Sequence, residues 1–121
     1  MKVNNYKELV VWQRAMELVK EIYLLTKKLP KEELYGLTSQ MRRASVSIPS
    51  NIAEGQTRRG TKEFVRFLSI SAGSKAELQT QLLICAHIGY LTELDIKNAM
   101  DLSDEVGKML TTLINKLTTD H

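Results

Sequence analysis

The chain has 121 residues, of which 43% are hydrophobic and 26% are charged, and its formal net charge is +3. This length suits one domain with a single core, and the composition is that of an ordinary globular protein. One cysteine excludes an intrachain disulfide, the first residues lack an apolar signal core, and the longest apolar runs are too short to span a membrane. We therefore expect one cytoplasmic domain over residues 1–121.

The first predicted helix begins near Asn5, where Glu8 completes a capping box, and ends before Pro30. Besides its main stripe it carries a second apolar row seven residues apart, formed by Val11, Leu18 and Leu25. So wide an apolar arc exceeds what one seam of a bundle needs. Either this helix is deeply sandwiched or one flank meets another subunit.

The second predicted helix starts after Glu33 and runs to about Glu54, with Pro49 inside it. Because proline removes one backbone hydrogen bond, we expect a kink there. Nearby polar side chains are expected to bond the freed backbone groups: Ser45, Ser47, Ser50 and Asn51. Gly55 is predicted to end the helix in a left-handed conformation.

The third predicted helix follows a loop from Gly55 to Gly60, and Thr61 is its expected cap. Thr92 and Asp95 form a capping box for the fourth helix. The inward residues of the fourth helix recur in steps of three and four: Ile96, Ala99, Ser103, Val106, Leu110, Leu113 and Leu117. No segment shows the alternation of a strand. The sequence therefore predicts an all-α fold, an up-down-up-down antiparallel four-helix bundle.

Residues 40–55 carry the pattern Gln-x-x-Arg-Ala-x-x-Ser-Ile-x-x-Asn-Ile-Ala-Glu-Gly, and Leu9, Trp12 and Gln13 precede it on the first helix. This pattern resembles the signature of a four-helix-bundle family that is encoded in intervening sequences of bacterial 23S ribosomal RNA genes. The family is also described as S23 ribosomal protein-like. The resemblance covers about residues 6 to 91. Its relative, the accessory protein of diversity-generating retroelements, is a pentamer that binds nucleic acid and a reverse transcriptase. The resemblance therefore implies a five-fold ring and a nucleic-acid partner.

The basic residues are concentrated between Arg42 and Arg66, where six cations and two anions give a local charge of +4. The cations are Arg42, Arg43, Arg58, Arg59, Lys62 and Arg66. A guanidinium fork matches a phosphate in two bonds, so the cluster is a candidate nucleic-acid-binding site. The alternative is that Arg43 and Arg66 pair with glutamates and the rest are solvated. No stacking aromatic is interleaved with these arginines, which argues against base-specific readout of single strands.

Asn51 and Glu54 are expected to form a structural polar clamp at the kink, with Glu54 bonding the third helix or pairing with Arg43 or Arg58. The loop from Gly55 to Lys62 is a near miss to a phosphate-binding loop, but no strand precedes it, which favours an interhelical turn. Two histidines and one cysteine supply no ligand set for a metal, and Cys85 is predicted to be a core residue. We therefore expect no enzyme activity, no metal and no cofactor.

These patterns favour two alternative functions, one in binding nucleic acid and one in binding another protein. The first is a non-enzymatic, oligomeric module that binds the backbone of RNA, or of DNA, and acts as an accessory to a ribonucleoprotein. The second is a protein–protein adaptor that docks a partner on surplus apolar surface. Helix four contributes to that surface with Met100, Leu102, Met109 and Ile114. Because a monomer cannot cover both extra rows, the sequence also predicts a homo-oligomer with cyclic symmetry.

Overall fold

The computed structural model describes residues 5–119. Within this range the chain forms four α-helices: α1 (Val10–Thr26), α2 (Leu37–Thr57), α3 (Thr61–His87) and α4 (Glu93–Thr119). Two 3-10 turns, Tyr6–Glu8 and Lys31–Glu33, precede α1 and α2, and no strand occurs among the described residues. Each helix packs on its neighbour in sequence, and α1 closes the bundle against α4. The predicted all-α, up-down-up-down bundle is confirmed.

The predicted inward row of α4 is buried along its whole length, from Ile96 to Leu117. α3 contributes Cys85, whose sulfur lies 3.6 Å from the sulfur of Met41 on α2. Burial raises the pKa of the Cys85 thiol, because an apolar environment disfavours the thiolate. Cys85 is therefore a core residue, as the sequence indicated.

The start of α1 differs from the prediction. Asn5 caps the 3-10 turn, and its side-chain oxygen accepts a hydrogen bond from the Lys7 amide at 2.8 Å. Leu9 is extended, with φ −73° and ψ 124°, so the α-helix starts only at Val10. Tyr6 then packs edge-on against Trp12, with ring centroids 5.4 Å apart.

The second apolar row of α1 lies inside the four-helix bundle. Val11, Leu18 and Leu25 are 5%, 0% and 5% exposed. The reason is that α1 packs between α2 and α4, so both flanks of its wide arc meet helices of the same chain. The interpretation of this row as surplus surface is therefore wrong. The corresponding residues of α4 are only partly buried: Met100, Leu102, Met109 and Ile114.

Pro49 lies within α2, and the helix continues on both sides of it. Near the proline, the Asn51 amide nitrogen donates hydrogen bonds to the backbone and side-chain oxygens of Ser47, at 2.8 and 2.9 Å. The Ser71 hydroxyl of α3 donates to the Ile48 carbonyl at 2.9 Å. Polar side chains therefore bond backbone groups beside the proline, and one of them joins α2 to α3.

Gly55 does not end α2, which continues to Thr57. The positive φ expected at Gly55 occurs instead at Gly60, where φ is 92° and α3 begins with Thr61 as its first residue rather than its cap. A Cβ atom on Gly55 would lie 2.6 Å from the Cβ of Phe67. Glycine is therefore required there because α2 and α3 approach each other closely, not because the backbone turns.

The predicted capping box of α4 is confirmed. The Asp95 carboxylate accepts from the Thr92 amide at 2.9 Å, and the Thr92 hydroxyl accepts from the Asp95 amide at 3.0 Å. The Lys28 ammonium lies 3.3 Å from the same carboxylate. The hydrogen bond from the Thr92 amide, helped by the Thr92 hydroxyl and Lys28, lowers the pKa of Asp95 below its ordinary value of 3.8.

This lowered pKa gives the Asp95→Ala variant a pH-dependent loss of stability. A carboxylate with a lower pKa in the folded state stabilises the fold above its unfolded pKa, and that contribution is lost as pH falls through the folded pKa. We expect Asp95→Ala to reduce the free energy of unfolding at neutral pH, with the difference from wild type shrinking below about pH 4. Urea titrations at about pH 7 and about pH 3 measure it.

Asp101→Ala provides the control, since Asp101 is an exposed carboxylate on α4 that pairs with Lys97 but caps no helix. Its effect at neutral pH is expected to be smaller than that of Asp95→Ala, because exposed pairs within a helix contribute little. An Asp95→Ala effect of equal size at both pH values would contradict the capping account.

Candidate nucleic-acid interface

The six predicted cations do not form one cluster. Arg43 lies in the first third of α2 and Arg58 just beyond its last residue. Fifteen positions separate them, and at about 1.5 Å per residue this is about 22 Å along the helix. α3 starts beside the end of α2, so Lys62 and Arg66 lie near Arg58 and not near Arg43. The structure therefore brings four of the six cations together and leaves Arg42 and Arg43 apart.

We call the four cations at the α2–α3 junction the basic end: Arg58, Arg59, Lys62 and Arg66. Glu54 and Glu63 lie in the same segment, so its local net charge is +2. The Arg58 guanidinium pairs with Glu54, and the Arg66 guanidinium donates to Glu63 at 3.1 Å. That hydrogen bond lowers the pKa of Glu63 and raises the pKa of Arg66.

Arg59 and Lys62 are the available cations of the basic end. Both side chains are exposed, and no carboxylate of residues 5–119 forms a salt bridge with either. They lie in the loop and the first turn of α3. A phosphate can therefore reach them without displacing an ion pair.

Phe67 supports the two paired arginines. The guanidinium carbons of Arg58 and Arg66 lie 5.2 and 4.6 Å from the centre of its ring. Phe67 is 7% exposed as a residue, so its ring attracts and orients the two guanidiniums and is too buried for a base to stack on it. The basic end is therefore suited to phosphates and not to base stacking.

The predicted clamp of Asn51 and Glu54 is not a buried unit. Glu54 is exposed and pairs with Arg58, while Asn51 is half-buried and bonds Ser47 on its own helix. Glu54 cannot hold Arg43 inward, because eleven positions along α2 separate them by about 16 Å. Two hydrogen bonds between α2 and α3 come from serines: the Ser47 and Ser74 hydroxyls lie 2.9 Å apart, and the Ser71 hydroxyl donates to the Ile48 carbonyl.

Arg42 and Arg43 belong to a second feature, which we call the tyrosine groove. It has a volume of about 610 Å³ and is lined by Tyr23, Leu34, Tyr35, Thr38, Ser39, Arg42, Arg43, Val46 and Ser47. The nitrogen Nε of Arg42 donates to the Thr26 hydroxyl at 2.9 Å, and its guanidinium carbon lies 4.6 Å from the centre of the Tyr23 ring. Sequence reasoning missed these tyrosines because α1 and the α1–α2 connection supply them.

The described part of the chain offers neither a metal centre nor a membrane span. Among residues 5–119 no group of three or more histidine, cysteine, aspartate or glutamate side chains is placed to hold a metal ion. In the same residues no helix has both the length and the apolar content that crossing a bilayer requires.

Comparison with known proteins places this bundle in a family. One solved relative is the 1.70 Å crystal structure of a protein of unknown function from the S23 ribosomal protein family of Bacteroides thetaiotaomicron VPI-5482. It is 25% identical, covers 88% of this chain and 96% of its own, and superposes with a TM-score of 0.81. No curated protein matches the chain significantly. The model of the 23S rRNA-intervening sequence protein family matches residues 7–112, and the chain therefore belongs to that family.

Proposed function

We propose that this protein is a non-enzymatic module that binds RNA by contacting the phosphate backbone through the basic end. The observation that carries the proposal is the placement of Arg59 and Lys62, which are exposed and outside any salt bridge of the described chain, beside two more arginines. Cations bound to phosphates release condensed counterions, so the contact needs no base-specific pocket. The family name, which refers to sequences intervening in 23S rRNA, favours RNA among polyanions.

A local charge of +2 on one protomer binds a polyanion weakly, so we propose that the protein acts as a cyclic homo-oligomer. In a ring, of which a pentamer is the form we expect, each protomer repeats the basic end around the axis. The described structure supports a self-contact through exposed apolar side chains on α3 and just after it: Ile70, Leu83, Ile84 and Ile88, which are 40%, 53%, 40% and 51% exposed. Light scattering at micromolar concentration measures the number of subunits.

The charge-reversal variant Arg59→Glu with Lys62→Glu tests the RNA contact. We expect it to weaken binding to a structured RNA at least about tenfold, or about 1.4 kcal/mol, irrespective of RNA sequence. Both side chains are exposed, so the fold and the assembly should remain intact. This pair is preferable to one that includes Arg58, because Arg58 holds Glu54 and covers Phe67. A filter-binding titration at low salt gives the affinity.

Lys20→Glu with Lys108→Glu is the matched control. It changes the net charge by the same amount, and both lysines are exposed on α1 and α4, away from the basic end. We expect a loss several-fold smaller than that caused by reversing Arg59 and Lys62. Equal losses in the two variants would mean that only the net charge matters and that the basic end is an ordinary solvated turn.

The exposed apolar residues of α3 also favour a second candidate, a protein–protein adaptor that binds no nucleic acid. On that reading, Leu83 and Ile84 contact a different protein rather than a second copy of the chain. The same titration separates the two candidates, because an adaptor shows negligible RNA binding at low salt.

A further inference from the structure

In the tyrosine groove an exposed aromatic ring lies beside guanidiniums, whereas Phe67 at the basic end is buried beneath them. Tyr35 is 93% exposed, so its ring is open to a ligand, whereas Tyr23 is 38% exposed and has the Arg42 guanidinium over its ring. Arg43 is exposed and lines the same groove. No carboxylate is among its lining residues, so the groove suits an anionic ligand that carries a flat ring.

Hydrogen bonds to α1, to the start of α2 and to the α3–α4 connection hold the residues in and beside this groove. Arg42 is held by the Thr26 hydroxyl, which itself donates to the Ile22 carbonyl at 2.8 Å. Glu33, at the end of the turn that leads to Tyr35, accepts from the Leu37 amide at 3.1 Å and from the Tyr90 hydroxyl at 2.9 Å. The turn beside Tyr35 is therefore held by hydrogen bonds to the start of α2 and to the α3–α4 connection.

We propose that the tyrosine groove binds unpaired nucleotides of RNA, with bases stacked on Tyr35 and phosphates bound by Arg43. Aromatic rings and guanidinium planes are the groups on which splayed bases of single-stranded RNA stack. The Ser39 hydroxyl adds a hydrogen-bond partner for a base edge or a ribose. The groove is open to solvent along its length, and its volume of about 610 Å³ leaves room for one or two nucleotides.

This inference rests on the proposed function and extends it to a second contact on the same RNA. Arg43 and Arg58 are about 22 Å apart along α2, which a stacked strand spans in roughly seven nucleotides at 3.4 Å each. Duplex held at the basic end could therefore continue into an unpaired segment that reaches the groove. The protein would then prefer a duplex with a single-stranded tail over a blunt duplex.

The test compares a blunt RNA duplex of two annealed strands with the same duplex carrying an unpaired tail of about ten nucleotides, using fluorescence anisotropy. We expect the wild type to bind the tailed duplex more tightly than the blunt one. Tyr35→Ala should weaken binding to the tailed duplex by about 5-fold to 150-fold, the range for losing one stacked base. Its affinity for the blunt duplex should not change.

Two further variants separate stacking from general effects. Tyr35→Phe keeps the ring and should bind within about twofold of wild type, since the π-face is retained. Leu94→Ala removes a side chain that is 82% exposed and lies outside the groove, and it should change neither affinity. Because Tyr35 is almost fully exposed, its replacement is not expected to disturb folding.

The two duplexes also distinguish the two proposals. The blunt duplex has no unpaired nucleotide for the groove, so its binding reports the basic end, and its failure to bind at low salt would overturn the proposed function. A tailed duplex that binds no more tightly than the blunt one would overturn the groove proposal and leave the proposed function standing. A tail without effect, combined with Tyr35-dependent binding of an acidic peptide, would likewise overturn it and assign the groove to a protein segment.

Discussion

Replacing Leu110 by alanine is expected to lower the free energy of unfolding by about 2–5 kcal/mol. Leu110 is fully buried in the inward row of α4, between Val106 and Leu113. Its removal loses the transfer energy of the side chain and leaves a cavity that the surrounding helices fill only partly. Urea denaturation at a fixed protein concentration measures the change, because assembly would make stability depend on concentration.

Leu94→Ala on the same helix is the control for the core prediction. Leu94 is 82% exposed, and we expect its replacement to change the stability by less than about 0.5 kcal/mol. A loss below about 0.5 kcal/mol for Leu110→Ala would mean that α4 does not pack as described.

Replacing Gly55 by alanine is expected to destabilise the protein by about 1–3 kcal/mol, although alanine is the better helix former. The new Cβ would lie 2.6 Å from the Cβ of Phe67 and 3.2 Å from a ring carbon of Phe64. The Cβ of Phe67 is fixed to the backbone of α3 and cannot swing aside, so the two helices would have to separate. Thermal or urea unfolding measures the change.

Gly73→Ala separates helix propensity from close packing. Gly73 lies in the middle of α3, and a Cβ there would meet nothing within 4 Å. We expect this variant to be more stable than wild type by about 0.5–1 kcal/mol. If Gly55→Ala were also stabilising, Gly55 would be an ordinary helical residue and the close approach to α3 would be contradicted.

The features that the sequence predicted correctly are local. The buried row of α4 follows from a period of three and four, and the box of Thr92 and Asp95 follows from spacing alone. The burial of Val11, by contrast, depends on which helices flank α1, and periodicity does not contain that information. The prediction that Gly55 ends α2 was wrong for a similar reason. A close approach between helices and a helix end both favour glycine, and the sequence alone does not distinguish them.

In the candidate site, too, the sequence predicted the local features and missed those that depend on how the helices pack. Arg59 and Lys62 are neighbours in both sequence and space because a loop and a helix start join them. In the sequence, Arg43 belongs to the same basic segment as Arg59 and Lys62. In the structure, the length of α2 separates Arg43 from Arg58 by about 22 Å along the helix axis. The true neighbours of Arg43, such as Tyr23, arrive from α1 and become visible only once the helices are packed.

The salt dependence of RNA binding tests the central proposal most directly. If the basic end binds phosphates, log Kobs for a structured RNA should fall linearly with log salt, with a slope of about −2 to −4 per protomer bound. In Arg59→Glu with Lys62→Glu the slope should be shallower by about 2, since each lost phosphate contact removes about one unit. A slope near zero for the wild type, or the same slope in the variant, would contradict backbone binding by the basic end.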